Sequence, residues 1–276
     1  MMTKVGGALV GCVVAAAVAG PLLLPHDPTA QDLALRLQGP TLAHPFGLDE
    51  LGRDMLTRVL AGARVSLAVG LAVVTVSASL GLAIGSLAGY LGGPIDDVVS
   101  RTMDVLMAFP GILLAIALVA VLGPGLPNAV LALSIIGWGG YARLVRGVVL
   151  RVRELEYVTA ARAAGAGLAR VLVRHVVPNT LPALVVQATL GMAGAILAEA
   201  SLSFLGLGVQ PPTPSWGTML DAGRAHLLDA PHVTLFPGAW LAALVLGFNF
   251  LGDGLREALD PRQRAEGVPE ARRAAA

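Results

Sequence analysis

Lysine is all but missing from this chain of 276 residues: Lys4 stands alone beside eighteen arginines. A Walker A loop needs a lysine after its glycines to hold phosphates, so the chain is expected not to be its own ATPase. Cysteine is as scarce. Cys12 is the only one, which excludes a disulfide framework. Charged residues make up 13% of the chain, against about a quarter in ordinary soluble proteins. Those present fit no zinc motif, and the arginines do not recur along a helix as in a voltage sensor. Ser201 and Ser203 have no nearby histidine to serve as base, and His226 and His232 read as loop residues rather than ligands. No catalytic residue, metal, cofactor or nucleic-acid partner is therefore expected.

What remains is apolar. With 55% hydrophobic residues and a mean hydropathy of +0.75, the chain reads as an all-α polytopic membrane protein. Six spans are expected, over about 5–24, 65–90, 102–122, 128–148, 182–204 and 235–251. The first is an uncharged run of about 20 residues, enough at 1.5 Å per residue to cross a hydrocarbon core of roughly 30 Å. A secretory or lipoprotein signal ending at Cys12 competes with that reading, but only about seven residues separate Lys4 from Cys12 and the apolar run continues past it. In the second span Gly70, Ser77, Gly81, Gly85 and Gly89 are small residues that let membrane helices approach closely. Pro110 should kink or locally open the third, and Asp96, Asp97 and Arg101 mark an aqueous exit before it. The fifth is expected to start near Pro182, in a first helical turn where proline is tolerated. It carries Glu199, a carboxylate in an apolar run, which either lines a pathway or meets a partner subunit, or else reaches interfacial water or local backbone. In the external excursion over 206–234, Trp216 is either an interfacial anchor or a docking residue, and 218–228 can form a short surface helix. The chain divides into a first helix with its external segment (1–64), a core (65–256) and a tail (257–276).

The longest basic interruption, 151–179, organises the rest. Tyr157, Thr159, Ala160, Ala161 and Arg162 belong to a helix-forming stretch, and Gly165 and Gly167 offer a backbone at which a short helix can stop and turn. Leu168, Val171 and Leu172 then share one face of a second helix, Arg170 and Arg174 another, and Pro178 is expected to stop the run. Such a knob can dock into a groove of another protein.

Ala160, Ala161, Gly165 and Pro178 fall at the spacing of the loop with which permeases of binding-protein-dependent ABC importers touch their ATPases. The family loop usually opens Glu-Ala-Ala; here the first residue is Thr159. The string from His44 to Asp54 resembles the segment after the first helix in the dipeptide and oligopeptide branch. Similar matches run through Gly123-Pro124-Gly125, Trp138 to Arg146, Leu197 to Gly208, Pro211 to Gly217 and Leu251 to Arg256. Together they look like the second permease subunit of peptide/nickel importers, with the type I importer permease fold. The resemblance implies a homologous second permease, two cytoplasmic ATP-binding subunits and an extracytoplasmic substrate-binding protein around a lipid-embedded pathway. It assigns Tyr157, Thr159, Ala160, Ala161, Arg162, Gly165 and Pro178 to ATPase coupling over 149–179; in such an assembly the position of Glu199 suggests the pathway or subunit interface, and that of Trp216 binding-protein docking.

Placing both termini in the cytoplasm puts fourteen basic residues inside and five outside, so the positive-inside rule selects that orientation. The rival reading, a self-sufficient secondary carrier or channel, calls for ionisable relays and two repeated halves with broken helices. No such halves are found, and Glu199 is the only acid well inside a span. The substrate, whether peptide, nickel, glutathione or another solute, is not written in these motifs.

Overall fold

In hydrocarbon every backbone donor and acceptor must be satisfied within the chain, and each long apolar run here does so as a helix. The computed structural model describes residues 2–23 and 27–259. The expected tail lies outside them from residue 260 onward. The helices are, in order, α1 (Met2–Leu23), α2 (Met55–Leu91), α3 (Gly93–Ala108), α4 (Gly111–Leu122), α5 (Leu126–Val152), α6 (Glu156–Ala163), α7 (Leu168–Val171), α8 (Val177–Phe204), α9 (Trp216–Gly223) and α10 (His232–Leu259). Among the described residues five helical runs are long and apolar enough to cross a membrane, and six when the bent pair α3–α4 is taken as one span.

The third span departs most from expectation. Pro110 does more than kink it: α3 and α4 meet at 90°. The residue before a proline is driven out of the helical region, and Phe109 is accordingly extended (φ −92°, ψ 142°) while Pro110 opens α4. α3 also begins at Gly93, so Asp96, Asp97 and Arg101 lie on a helix rather than in a turn. Asp96 pairs with Arg146 of α5 at 2.6 Å, and Asp104 with Arg143.

Two other boundaries move. α2 starts ten residues before the expected 65, because the Asp54 carboxylate accepts the Thr57 N–H at 2.8 Å and caps its first turn. The fifth span does not start at Pro182, which lies inside α8; a π turn over Leu172–Val176 instead joins α7 to α8, giving one run from Leu168 to Phe204.

α2 lies at the centre, against α1, α5, α8 and α10, while α1 packs on α10 and α4 on α5. α2 and α5 approach closely where the small residues predicted it. A Cβ added at Gly85 would fall 2.5 Å from the Ala142 carbonyl oxygen, and one at Gly81 would strike Tyr141 and the Ala142 nitrogen. Glycine here lets the backbones of α2 and α5 touch. The odd number of crossings between α2 and α5 returns the chain so that residues 2, 91, 152 and 259 share one end with α6 and α7, the knob end. Residues 27–54 and α9 close the other, the cap end.

Candidate functional site

At the knob end α5 is capped by Arg153, whose N–H bonds to the Val149 carbonyl at 2.9 Å and whose guanidinium reaches the Gly89 carbonyl at 2.8 Å. The chain then enters α6, with Val158 fully buried against the bundle and Tyr157, Thr159, Ala160 and Arg162 reaching the surface; Ala161 is half-buried. α6 ends in a Schellman arrangement. The Gly165 N–H bonds to the Arg162 carbonyl at 2.9 Å and the Ala166 N–H to the Ala161 carbonyl at 3.0 Å. That closure needs a left-handed residue, and Gly165 supplies φ 82°. A Cβ there would meet nothing within 4 Å, so the glycine is required by its backbone and not by crowding.

α7 follows after Gly167. Of the three residues expected on its apolar face, Val171 and Leu172 are buried and Leu168 is 43% exposed. Arg170 and Arg174 point to solvent with no ion pair among the described residues. Pro178 does not stop the run. It sits in the first turn of α8, where the Val177 N–H reaches back to the Leu172 carbonyl in a π turn wide enough to relieve the clash a proline makes with the preceding carbonyl. α7 is thereby a direct extension of the fifth span.

Two clamps hold α6, and neither was read from sequence. On one side the Arg162 guanidinium donates to the Tyr90 hydroxyl at 2.9 Å and lies 4.7 Å over its ring, tying α6 to the end of α2. On the other, the Asn179 amide donates to the Tyr157 hydroxyl at 3.0 Å and to the His175 carbonyl at 2.6 Å, tying α6 to the start of α8. Tyr90, Arg153 and Asn179 gave no local signal, because their partners are distant in the chain. The arrangement holds no nucleophile paired with a base. What it provides is mechanical connection: α6 follows α5 in the chain and is tied by these contacts to the ends of α2 and α8.

The cap end corrects two expectations. Trp216 has no exposed surface, its ring nitrogen donates to the Val59 carbonyl at 2.9 Å, and it packs where Gly62 leaves room. A side chain with no exposed atoms cannot touch a docking protein. Likewise α9 runs from Trp216 to Gly223 and packs on α8 and α10 rather than lying on the surface as 218–228. Glu199 is also fully buried, accepting from the Ser203 hydroxyl at 2.7 Å and the Ser66 hydroxyl at 3.3 Å. Its hydrogen bonds are within this chain, between α8 and α2 and within α8. Ser203 in turn accepts the Val209 N–H at 3.0 Å, which fixes the turn after α8.

The string from His44 to Asp54 forms a folded cap. Asp49 accepts from the Arg53 side chain at 2.6 Å and from the N–H groups of Leu51 and Arg53, and Asp54 binds His44 at 2.8 Å while capping α2. Phe46 stacks on Phe236 of α10 with centroids 3.9 Å apart.

Comparison with known proteins places this architecture. The family described as binding-protein-dependent transport system inner membrane component matches residues 81–265. The chain is 46% identical over 261 residues to the dipeptide transport system permease protein DppC of Alkalihalophilus pseudofirmus, covering 95% of this chain and 86% of that one. It is 51% identical over 224 residues to the glutathione transport system permease protein GsiD of Shigella dysenteriae, covering 81% and 74%. Among solved structures, an inward facing conformation of the MetNI methionine ABC transporter superposes with a TM-score of 0.62 at 22% identity, over 75% of this chain and 98% of that one. That likeness carries the fold.

Proposed function

The chain belongs to the inner membrane components of binding-protein-dependent transport systems, and from that membership we propose that it forms half of the membrane pathway of an ATP-driven importer of short peptides. It is a permease subunit of an ABC importer in a bacterial inner membrane. A homologous permease supplies the other half of the pathway, two cytoplasmic ATP-binding subunits supply the energy, and an extracytoplasmic binding protein delivers the solute. The charge count supports a cytoplasmic knob end. Relatives named for dipeptide and glutathione transport support a solute built on amide bonds.

The observation that carries the mechanism is the continuity of α7 with the fifth span, together with the clamps from α6 to α2 and α8. Tyr157, Thr159, Ala160 and Arg162 on the open side of α6 offer it to an ATPase groove, with Gly165 as the turn that lets the knob stand out. Closure of the ATPases displaces α6, and α7 hands that displacement to α8 as one helix. ATP binding can drive the permease only through contacts that differ between its two states, and this knob is where they form.

The test is reconstitution in proteoliposomes. The chain alone should neither hydrolyse ATP nor take up solute. Combined with the second permease, both ATPases and a loaded binding protein, it should take up labelled dipeptide or glutathione on addition of ATP. Uptake of nickel with no peptide uptake would replace the substrate reading, and ATP-independent uptake by the chain alone would replace the importer reading with a carrier.

A further inference from the structure

Between α2, α4, α5 and α8 runs an open groove of about 290 Å³, near the lower end of ligand-pocket sizes. Its wall is aliphatic or glycine except at Ser77, Tyr141 and Gln187, and no charged residue lines it. Ser77 is occupied, its hydroxyl lying 3.4 Å from the Ser134 carbonyl. The other two are not. Tyr141 is 6% exposed, and its hydroxyl rests against Gly191 with no hydrogen-bond partner among the described residues. Gln187, one helical turn before Gly191, is half-buried and equally without a partner. Gln187 lies ten residues into α8, about 15 Å from its start, well inside the apolar span. A primary amide and a phenol left unpaired facing lipid are costly, so a groove that keeps both is built for something polar.

We propose that this groove is a transit site that reads the peptide backbone, with Gln187 and Tyr141 as its recognition groups. The inference rests on reading the chain as a peptide importer permease and adds what the pathway wall recognises. A side-chain amide carries one acceptor and two donors, the complement of the N–H and C=O that one residue of an extended chain presents on the same side. Gln187 therefore accepts the N–H of one residue of a passing extended peptide through Oε1 and donates Nε2 to that same residue's carbonyl, the two groups pointing to the same side of the chain, while the Tyr141 hydroxyl donates to a second carbonyl. Gly194, beside which a Cβ would meet nothing within 4 Å, leaves room for the solute backbone to lie against α8. With no charge in the wall, the site holds neither end of a zwitterion tightly. Recognition is then indifferent to the solute's side chains and weak enough for release.

The test uses the complete importer, with both permeases, ATPases and binding protein, in proteoliposomes. If the wild-type complex takes up no peptide, the peptide reading itself fails, which is distinct from failure of the groove. Given wild-type uptake, Tyr141→Phe and Gln187→Leu should each lower maximal uptake per complex about five- to tenfold, the order expected for one net hydrogen bond, while half-saturation by loaded binding protein shifts less than about twofold. Gln187→Asn, which keeps the amide, should recover most of the loss. The thiol of a Gln187→Cys variant in a Cys12→Ala background should react with a charged, water-soluble reagent, and bound peptide should slow the reaction. Near wild-type maximal uptake in both Tyr141→Phe and Gln187→Leu overturns the proposal. So does a defect confined to half-saturation, which belongs to docking. A Gln187→Cys thiol that no water-soluble reagent reaches in any nucleotide state overturns it as well, since the groove is then covered by lipid or by the second permease.

Discussion

Gly165 shows how much rests on one backbone torsion. Its φ of 82° closes α6, and the open space around it means that a larger residue is resisted only by the backbone. For an ordinary L residue the left-handed region costs roughly 1–2 kcal/mol, and asparagine tolerates it best. Gly165→Val should therefore insert normally but abolish both uptake and the stimulation of ATP hydrolysis by loaded binding protein, while Gly165→Asn keeps most of both. Equal activity in the two would mean that the loop's shape is not transmitted. Glu199 makes a different kind of claim. Its burial against Ser66 and Ser203 gives it a bracing role, so Glu199→Leu leaves two hydroxyls without their acceptor. A buried group deprived of its partner costs about 1–3 kcal/mol, and the variant should lower the thermal midpoint of the purified complex more than Glu199→Gln does. Uptake per folded complex should stay at the wild-type level. A fall in that specific rate with an unchanged midpoint would return Glu199 to the pathway.

Between elements, two contacts fix how the helices sit against one another. The α2–α5 seam has no slack, since a side chain at Gly85 meets the backbone of Ala142, which cannot move aside as a flexible side chain can. Gly85→Leu should block assembly, seen as loss of the subunit from membranes, whereas Gly140→Ala, with nothing near its Cβ, should assemble normally. The Arg162–Tyr90 clamp is softer and more informative. Partly exposed, it is worth about 0.5–1 kcal/mol as a cation–π contact, so Arg162→Ala should leave assembly intact and raise amide hydrogen exchange across Glu156–Ala163. If the clamp transmits motion, the stimulated ATPase rate and uptake become less tightly coupled, with more ATP hydrolysed per solute. Unchanged exchange and coupling would show that α6 is held by Asn179 and Val158 alone.

Across the whole molecule, both described chain ends lie at the knob end, and the count of basic residues predicts that this end is cytoplasmic. In a Cys12→Ala background, a Thr159→Cys variant should be labelled by an impermeant reagent only from the cytoplasmic side, and a Thr41→Cys variant only from the other; the reverse pattern would invert the topology. The sequence by itself determined the class, the spans as apolar runs, the small residues along α2, the glycine turn of the knob and the family string. Each of these depends on composition or short spacing, which a linear chain carries in full. The tertiary structure alone decided what the isolated polar residues do. Trp216 and Glu199 look available in the sequence because Val59 and Ser66, which occupy them, lie far away along the chain. Tyr90 and Asn179 look idle for the same reason. Pro110 announces a disturbance in its helix but not a 90° turn, because the angle is set by where α3 finds Arg143 and Arg146 and where α4 finds α5. Exposure and partnership are properties of packed surfaces, and those exist only once the helices have met.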